Sequence, residues 1–406
     1  MFRCISELKG LIIDFDSFRY METGIWSELM DRYKCLFLAM NGQTAETAEK
    51  AYGWRSVYWI EDFQQMFAPN QATHERALDI MGLQPTEVAY ISMDCSFLER
   101  AMGFLGGTIW VTRRVTYLDA SRAPDFICPD VNSLKGLLLN QVSGFLGETA
   151  IFPEAGKRGL TAPVQFYVDG NSIPMYMLGR YFGRGHYMNQ LHPYSTAILL
   201  NKKEGKGYYR KFDGTFAEIY GRVVKALQGK YKIDGIVAVP ARSNQDDRFE
   251  GILEMIAEKC CIGNFGSSFT CIRDYPTQKR LSASERQKNI GGAFRCGPGL
   301  EGKNIVMIDD VITTGATIQE CIRELRAGGV NQVIVLVLGV NQFRGTYWSS
   351  RTVHVACPVC GEGMSLNVNG NNGNFFYSCH FCNNTISFRE GRKILCDKVN
   401  SEIFNG

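Results

Sequence analysis

Residues 305–317 read IVMIDDVITTGAT. The apolar run from Ile305 to Ile308 predicts a buried strand. It delivers two adjacent carboxylates, Asp309 and Asp310, to the carboxyl end of a parallel sheet, where ligands of such folds sit. The following loop carries the hydroxyls of Thr313 and Thr314, then Gly315 and Ala316, before Thr317 opens a helix. Small residues let backbone N–H groups close on an anion, and a helix N-terminus adds a favourable dipole and free donors. Acids for ring hydroxyls, followed at once by amides for a phosphate, suit a phosphorylated sugar. Downstream, Ile318, Ile322 and Leu325 share one helical face, Gly328 and Gly329 stop the helix, and VNQVIVLVLGV (330–340) returns as a parallel strand. Upstream, DGIVAVPARSNQDDRFEGILEMIAEKC (234–260) repeats the unit, with Phe249, Ile252, Leu253, Ile256 and Ala257 on one apolar stripe. The fold class read from this region is α/β.

The rest of the chain sets the frame. At 406 residues it has room for two to four domains. Its 44 basic and 41 acidic residues leave a net charge of +3, too little for a global field that gathers nucleic acid. The apolar runs fall far short of the ~20 residues of a membrane span, and MFRCISELKG lacks the apolar segment of an export signal. With 14 mostly scattered cysteines, the expectation is a cytoplasmic protein with free thiols. Residues 1–145 alternate strand candidates, GLIIDFD (10–16), EVAYISMD (87–94), TIWVT (108–112) and DFICP (125–129), with about 70 mainly helical residues between the first two. A linker is expected over 144–163, where Gly, Pro and charge replace apolar periodicity. Short strands and turns follow, including VQFYVDGNSIP and HPYSTAILLNKKEGKGYY; this part, 164–209, is the candidate for a variable hood over the acceptor. The expected units are 1–145, 160–345 and 350–406.

The last unit contains Cys357-Pro-Val-Cys360 and Cys379-His-Phe-Cys382, a C-x₂-C-x₁₈-C-x₂-C spacing that reads as a zinc ribbon. Four thiolates close a tetrahedral shell, so the zinc is expected to be structural and His380 not a ligand. The intervening NVNGNNGNFFYS suits a hairpin whose Phe375, Phe376 and Tyr377 pack against the knuckles. Those aromatics, with Arg389, Arg392 and Lys393, offer contacts to nucleic acid; a stabilising cap or a protein-contact module is the competing reading.

The 305–317 stretch resembles the phosphoribosyl-pyrophosphate (PRPP) motif of type I phosphoribosyltransferases. The likeness extends to VAVPARSNQDDRFEG and to Gln278, Leu281, Glu285, Arg286, Asn289, Ile290, Gly291, Gly292, Ala293 and Phe294, which resemble the competence-protein ComF family over roughly 234–342. The resemblance implies catalytic roles for Asp309, Asp310 and Arg286. It implies PRPP and phosphate contacts from Thr313, Thr314, Gly315, Ala316, Thr317, Ala241, Arg242, Ser243, Arg273 and Lys279, with Arg280 as a further donor. Asn244 completes the loop for pyrophosphate, 273–286 corresponds to a mobile loop, and Mg²⁺ assists the leaving group. In one departure, Arg248-Phe249-Glu250-Gly251-Ile252 stands where the family usually has Arg-Gly-Phe-Asn-Gln.

Residues 1–143 resemble the haloacid dehalogenase (HAD) superfamily, a Rossmann-like fold. Asp14 and Asp16, at the end of an apolar strand, would be nucleophile and acid/base, and Asp94 a ligand of Mg²⁺ with them. The second metal-side acid is Leu98 here, and no Thr- or Ser-ended strand stands out between Arg55 and Thr73. A retained fold with little or no hydrolysis is expected. The whole reads as a PRPP-dependent phosphoribosyltransferase of unknown acceptor. The alternative is a PRPP- or nucleotide-sensing regulator whose zinc ribbon reports to nucleic acid or a partner protein.

Overall fold

The computed structural model describes residues 7–20, 24–60, 68–139, 142, 144–152, 158–204, 208–242, 245–275, 289–343 and 353–401. The first part is a six-stranded parallel sheet. It is built from β1 (Gly10–Asp14), β2 (Lys34–Ala39), β3 (Val57–Trp59), β4 (Val88–Ser92) and β5 (Gly107–Val111), with β7 (Phe126–Cys128) at one edge. Their order is β3-β2-β1-β4-β5-β7. Every residue of β1, β4 and β5 is buried, as in a sheet covered by helices on both faces. The stretch between β1 and β4, expected to be mainly helical, contributes β2 and β3. Lys34–Ala39 is a short apolar run that periodicity cannot separate from buried helix.

A two-residue strand, β6 (Val115–Thr116), leaves this sheet and pairs with the next. The stretch expected as a linker is also built in. There β8 (Gly144–Phe145) pairs with β9 (Gly159–Leu160), and the helix Leu146–Ile151 is almost wholly buried. The second sheet comprises the hairpin β10 (Ala162–Val168) and β11 (Asn171–Met177), the short β12 (Arg180–Tyr181), then β13 (Gly235–Ala238) and β14 (Gly263–Asn264). Beside it, β15 (Phe269–Cys271) and β16 (Phe294–Cys296) form a separate antiparallel pair. The sheet is completed by β17 (Asn304–Ile312) and β18 (Gln332–Asn341), giving the order β14-β13-β17-β18-β11-β10-β6 with β12 also on β18. Thus β10 and β11, expected in a hood, are core strands. HPYSTAILLN, expected as strand and turn, is the helix Pro193–Asn201. Pro193 occupies its first turn and the His192 ring caps it, accepting from Ser195 N at 3.3 Å.

The two predicted helices of the central region are Glu250–Cys260 and Ala316–Ala327, and their predicted stripes are buried. The C-terminal part has β19 (Met364–Val368), β20 (Phe375–Cys379) and β21 (Thr385–Ser387) in one antiparallel sheet, then the helix Phe388–Ser401. Asn369 and Gly373 (φ 74°) turn β19 into β20.

These parts share interiors. One buried apolar cluster runs from Ile12 and Leu36 through Val115 and Phe166 to Met307 and Val335. Another joins Leu191, Ile198 and Phe212 to Val355, Leu366 and Tyr377. Where the first two sheets meet, Arg180 is 1% exposed and Glu148 and Asp125 are fully buried. Arg180 Nε and Nη2 each donate to Glu148 at 2.9 Å, and Nη1 donates to Asp125 Oδ1 at 2.8 Å. No helix among the described residues is long and apolar enough to cross a membrane.

Candidate functional site

In-register parallel pairing of β13 with β17, Ala238 opposite Ile308, brings two loops to the same sheet edge. One holds Ala241 and Arg242; the other begins at Asp309 and Asp310. Both carboxylates are mostly buried, 8% and 6% exposed. Backbone amides fix one oxygen of each: Asp309 Oδ1 accepts from Asp310 N at 2.8 Å, and Asp310 Oδ1 from Val311 N at 2.5 Å. The Tyr220 hydroxyl donates to the Asp309 carbonyl at 2.7 Å and pins the strand end.

Gly315 turns the loop at φ 77°, a left-handed conformation that favours glycine. A Cβ there would stand 2.9 Å from the Phe166 ring, so glycine also permits the helix to dock on β10. No side chain caps the Ala316–Ala327 helix, so its first N–H groups keep their donors for an anion. Thr313 is exposed, and Thr314 and Thr317 are half-buried at this end. Carboxylates, hydroxyls and an uncapped helix terminus are therefore brought together at this sheet edge.

Two residues the sequence reading did not assign reach the acid pair. Lys202 Nζ and Arg248 Nη2 each lie 2.6 Å from Asp310 Oδ2, and Arg248 Nη2 lies 3.8 Å from Asp309 Oδ1. Lys202 follows the helix Pro193–Asn201, whose end is tied down by Asn201: its side chain accepts from Phe212 N at 2.8 Å and donates to Asp213 at 2.7 Å. Arg248 belongs to the segment that departs from the family pattern. Burial pushes the Asp309 carboxyl up, and Asp310 beside it adds to the rise. Burial would raise Asp310 too, but Arg248 and Lys202 outweigh it and hold that carboxyl below its ordinary value. A divalent cation does not fit this pair, because its place beside Asp310 is taken by two positive side chains.

The other basic candidates have diverse placements. The Arg242 guanidinium stacks on Tyr275, 4.4 Å from the ring centre. Arg273 Nη2 donates to the carbonyls of Asn289 and Gly291 at 2.9 and 2.8 Å, so it joins the two sides of 276–288. Ser243, Asn244, Gln278, Lys279, Arg280, Leu281, Glu285 and Arg286 lie outside the described residues. In the Asn289–Phe294 motif, Ile290, Ala293 and Phe294 are core residues, and Gly292 N donates to Glu320 Oε1 at 2.7 Å. That part of the motif packs the segment onto the helix after the loop.

In the N-terminal sheet, β1 ends at Asp14 and Asp16 lies in the helical turn Phe15–Phe18, so the two do not share a strand face as expected. Asp14 Oδ2 accepts from Ser17 and Ser92 hydroxyls at 2.5 and 2.6 Å, and burial pushes its carboxyl up. Asp16 accepts from Met40 N, Asn41 Nδ2 and Thr44 Oγ1 at 2.6, 3.0 and 2.8 Å, fastening the end of β2. Asp94 caps the helix Cys95–Met102, and Leu98 on that helix is fully buried. Asp14, Asp16 and Asp94 form no metal-ligand cluster. Among the described residues the four cysteines are the one group of three or more ligating side chains with mutually close ligand atoms. Magnesium thus fits neither carboxylate set.

The thiols of Cys357, Cys360, Cys379 and Cys382 lie within 4.8 Å of one another, Cys357–Cys382 and Cys360–Cys379 each at 3.5 Å. Such a tetrad suits a metal ion bound through four thiolates. His380 stands aside, 3.1 Å from Ser365 Oγ. Phe375 and Tyr377 are buried; Phe375 faces Phe212 of the central part at 6.4 Å, and Tyr377 stacks on Phe388 at 6.0 Å.

The chain is similar in part to known proteins. The family model described as "Phosphoribosyl transferase domain" matches residues 272–348. "DNA utilization protein YhgH" of Salmonella typhi is 38% identical over 71 residues, 18% of this chain and 31% of that protein. "Competence protein F" of Haemophilus influenzae is 25% identical over 165 residues, 37% of this chain and 68% of that protein. The chain spans about a third of the length of the first curated relatives it matches. A solved structure described as "Structure of the allosteric regulatory enzyme of purine biosynthesis" matches with 18% identity and a TM-score of 0.20, over 34% of this chain and 26% of that one. A likeness at that score carries no further weight. The family model and the two relatives support a ComF-like protein of the phosphoribosyltransferase type.

Proposed function

We propose that this chain is a PRPP-dependent phosphoribosyltransferase. The observation that carries the reading is the pair Asp309–Asp310 at the end of a buried strand, directly before a glycine turn and an uncapped helix N-terminus. The acids would take the ribose hydroxyls, and the 313–317 loop the 5′-phosphate. Arg242, with Ser243, Lys279 and Arg286, would face the pyrophosphate. In the reaction the anomeric C–O bond breaks, pyrophosphate leaves with the bonding electrons, and an acceptor lone pair forms the new bond. The protein's part is positioning and charge stabilisation. Mg²⁺ belongs to the substrate as the PRPP complex.

The test is calorimetric titration of full-length protein with Mg²⁺–PRPP, then pyrophosphate release across a panel of acceptors. Asp310→Asn should weaken binding by roughly one to two decades, the worth of a lost charged hydrogen bond. Identical isotherms for wild type and Asp310→Asn would overturn the assignment.

A second reading, PRPP sensing without turnover, draws on Asp310 being paired with Lys202 and Arg248, an arrangement that a ligand could rearrange. PRPP binding with no pyrophosphate release would favour it. The units 1–145, 160–345 and 350–406 are then a HAD-like domain, the transferase and a zinc ribbon. Leu98 in the core, and Asp16 fastened to β2, support a HAD-like fold without hydrolysis. The printed names of the relatives suggest a DNA-linked role. No disulfide joins the described cysteines, and most lie outside the tetrad, which suits a reducing compartment such as the cytoplasm.

A further inference from the structure

The acid pair carries its own cations. Lys202 and Arg248 come from separate segments, and both end on Asp310 Oδ2. Their side chains are 29% and 35% exposed, while those of Asp309 and Asp310 are 11% and 9% exposed. With both acids ionised the four charges sum to zero. A divalent ion added here would face two positive groups within a few ångströms, beside two mostly buried carboxylates, which is unfavourable. Asp309 Oδ2 meets no donor among the described residues, so one carboxylate oxygen remains for a hydroxyl. Tyr220 and the backbone amides of Asp310 and Val311 hold the pair in place.

We propose that Lys202 and Arg248 replace a divalent cation at this pair, neutralising and orienting the two carboxylates so that the diol of a phosphorylated ribose binds here without metal. The sugar part rests on the reading given under Proposed function; the cation part does not. Both are positioning residues, acting on the ligand through Asp309 and Asp310.

The cation part is tested on the zinc-loaded full chain by Mn²⁺ titration followed by electron paramagnetic resonance, with no sugar present. Wild type should show no Mn²⁺ site that depends on Asp310. Lys202→Met should create one, at least about tenfold tighter than any wild-type binding, that disappears when Asp310→Asn is added. Arg248→Met should do the same, and provides the answer if Lys202→Met fails to fold as judged by zinc content and circular dichroism. A wild-type Mn²⁺ site lost in Asp310→Asn would overturn the proposal, as would the absence of any new site in both cation variants.

The sugar part uses ribose 5-phosphate, which lacks pyrophosphate and its metal. Its affinity for wild type should agree within about twofold in metal-depleted buffer and in excess Mg²⁺. Lys202→Met should lose about tenfold or more without metal and recover with Mg²⁺. Wild-type binding that requires Mg²⁺ would sink this inference and leave the sugar-phosphate reading standing. Failure to bind in either buffer would count against that reading, and the Mn²⁺ titration would still decide the cation question.

Discussion

Replacing Arg180 by Met removes the guanidinium that joins Asp125, just before β7, to Glu148 in the buried connection and to β12 of the second sheet. Met keeps much of the apolar length that lies between Phe145 and Phe182, 5.6 and 5.5 Å from the guanidinium carbon. What is lost is charge. Removing one partner of a buried ion pair costs about 3–5 kcal/mol, because the remaining charge stays desolvated, and two carboxylates lose their cation here. Set against a usual stability of about 5–15 kcal/mol, the change is large.

Urea unfolding would read it. Buried Trp26 and Trp110 report on the first sheet, and metal release reports on the C-terminal part. Both midpoints should fall together, because the second sheet packs one buried cluster against the first sheet and another against the C-terminal part. The pH dependence has a definite sign. In wild type, burial alone would raise the Glu148 carboxyl, but Arg180 and His192 hold it well below the usual range. That stabilisation is present above about pH 4.3, the unfolded value, and is lost as pH falls toward the lower folded one. In Arg180→Met burial dominates and the carboxyls favour protonation. The gap between wild type and variant should therefore be widest near neutrality and shrink on acidification. A difference below about 1 kcal/mol at neutral pH, or a shift confined to one probe, would refute the reasoning.

Three further outcomes are expected. Gly315→Ala, strained at φ 77° and crowded by Phe166, should lose about 1–3 kcal/mol of stability and weaken ribose 5-phosphate binding, as thermal melts and calorimetry would show. Metal analysis of wild type should return one equivalent of zinc, and Cys379→Ser should abolish it and lower the urea midpoint, while the folded fraction keeps its sugar-phosphate affinity. A panel of sugar phosphates and nucleotides should show no hydrolysis that depends on Asp14; robust turnover abolished by Asp14→Asn would show that other residues supply the donors found lacking around β1 and β4.

What the sequence shows at the site is what lies close together along the chain. Asp309 to Thr317 is one strand, turn and helix start, and its chemistry is local. Lys202 stands more than a hundred positions away from Asp310, in a segment whose helix has no polar face to give a 3.6-residue rhythm: Pro193 to Ile198 is buried throughout. Only the His-Pro start was a readable helix signal. Arg248 was visible merely as the matching first residue of a segment that otherwise departs from a pattern, and its partner Asp310 is far from it in sequence. Glu148 misled in the opposite direction. A charged residue in a Gly- and Pro-containing stretch reads as solvated linker, and the partner that reverses this reading, Arg180, is 32 positions on.

The same packing decides how the aromatics of the C-terminal four-cysteine part can be used. As a sequence, Phe375, Phe376 and Tyr377 offer three rings for stacking on bases. In the fold, Phe375 and Tyr377 are turned inward, against Phe212 and Phe388, and Asn400 on the last helix accepts from Thr86 N at 3.2 Å beside the first sheet. The module therefore spends Phe375 on the central part and Tyr377 on its own last helix, leaves Phe376 half-buried, and touches both earlier parts. Phe381, between Cys379 and Cys382, is 78% exposed, and Val359 in the other knuckle is 70% exposed. A stacking partner would find its most exposed ring at the tip, Phe381, with Phe376 half-buried behind it. Metal loss would thus disturb the knuckles and the shared core through the same four thiolates.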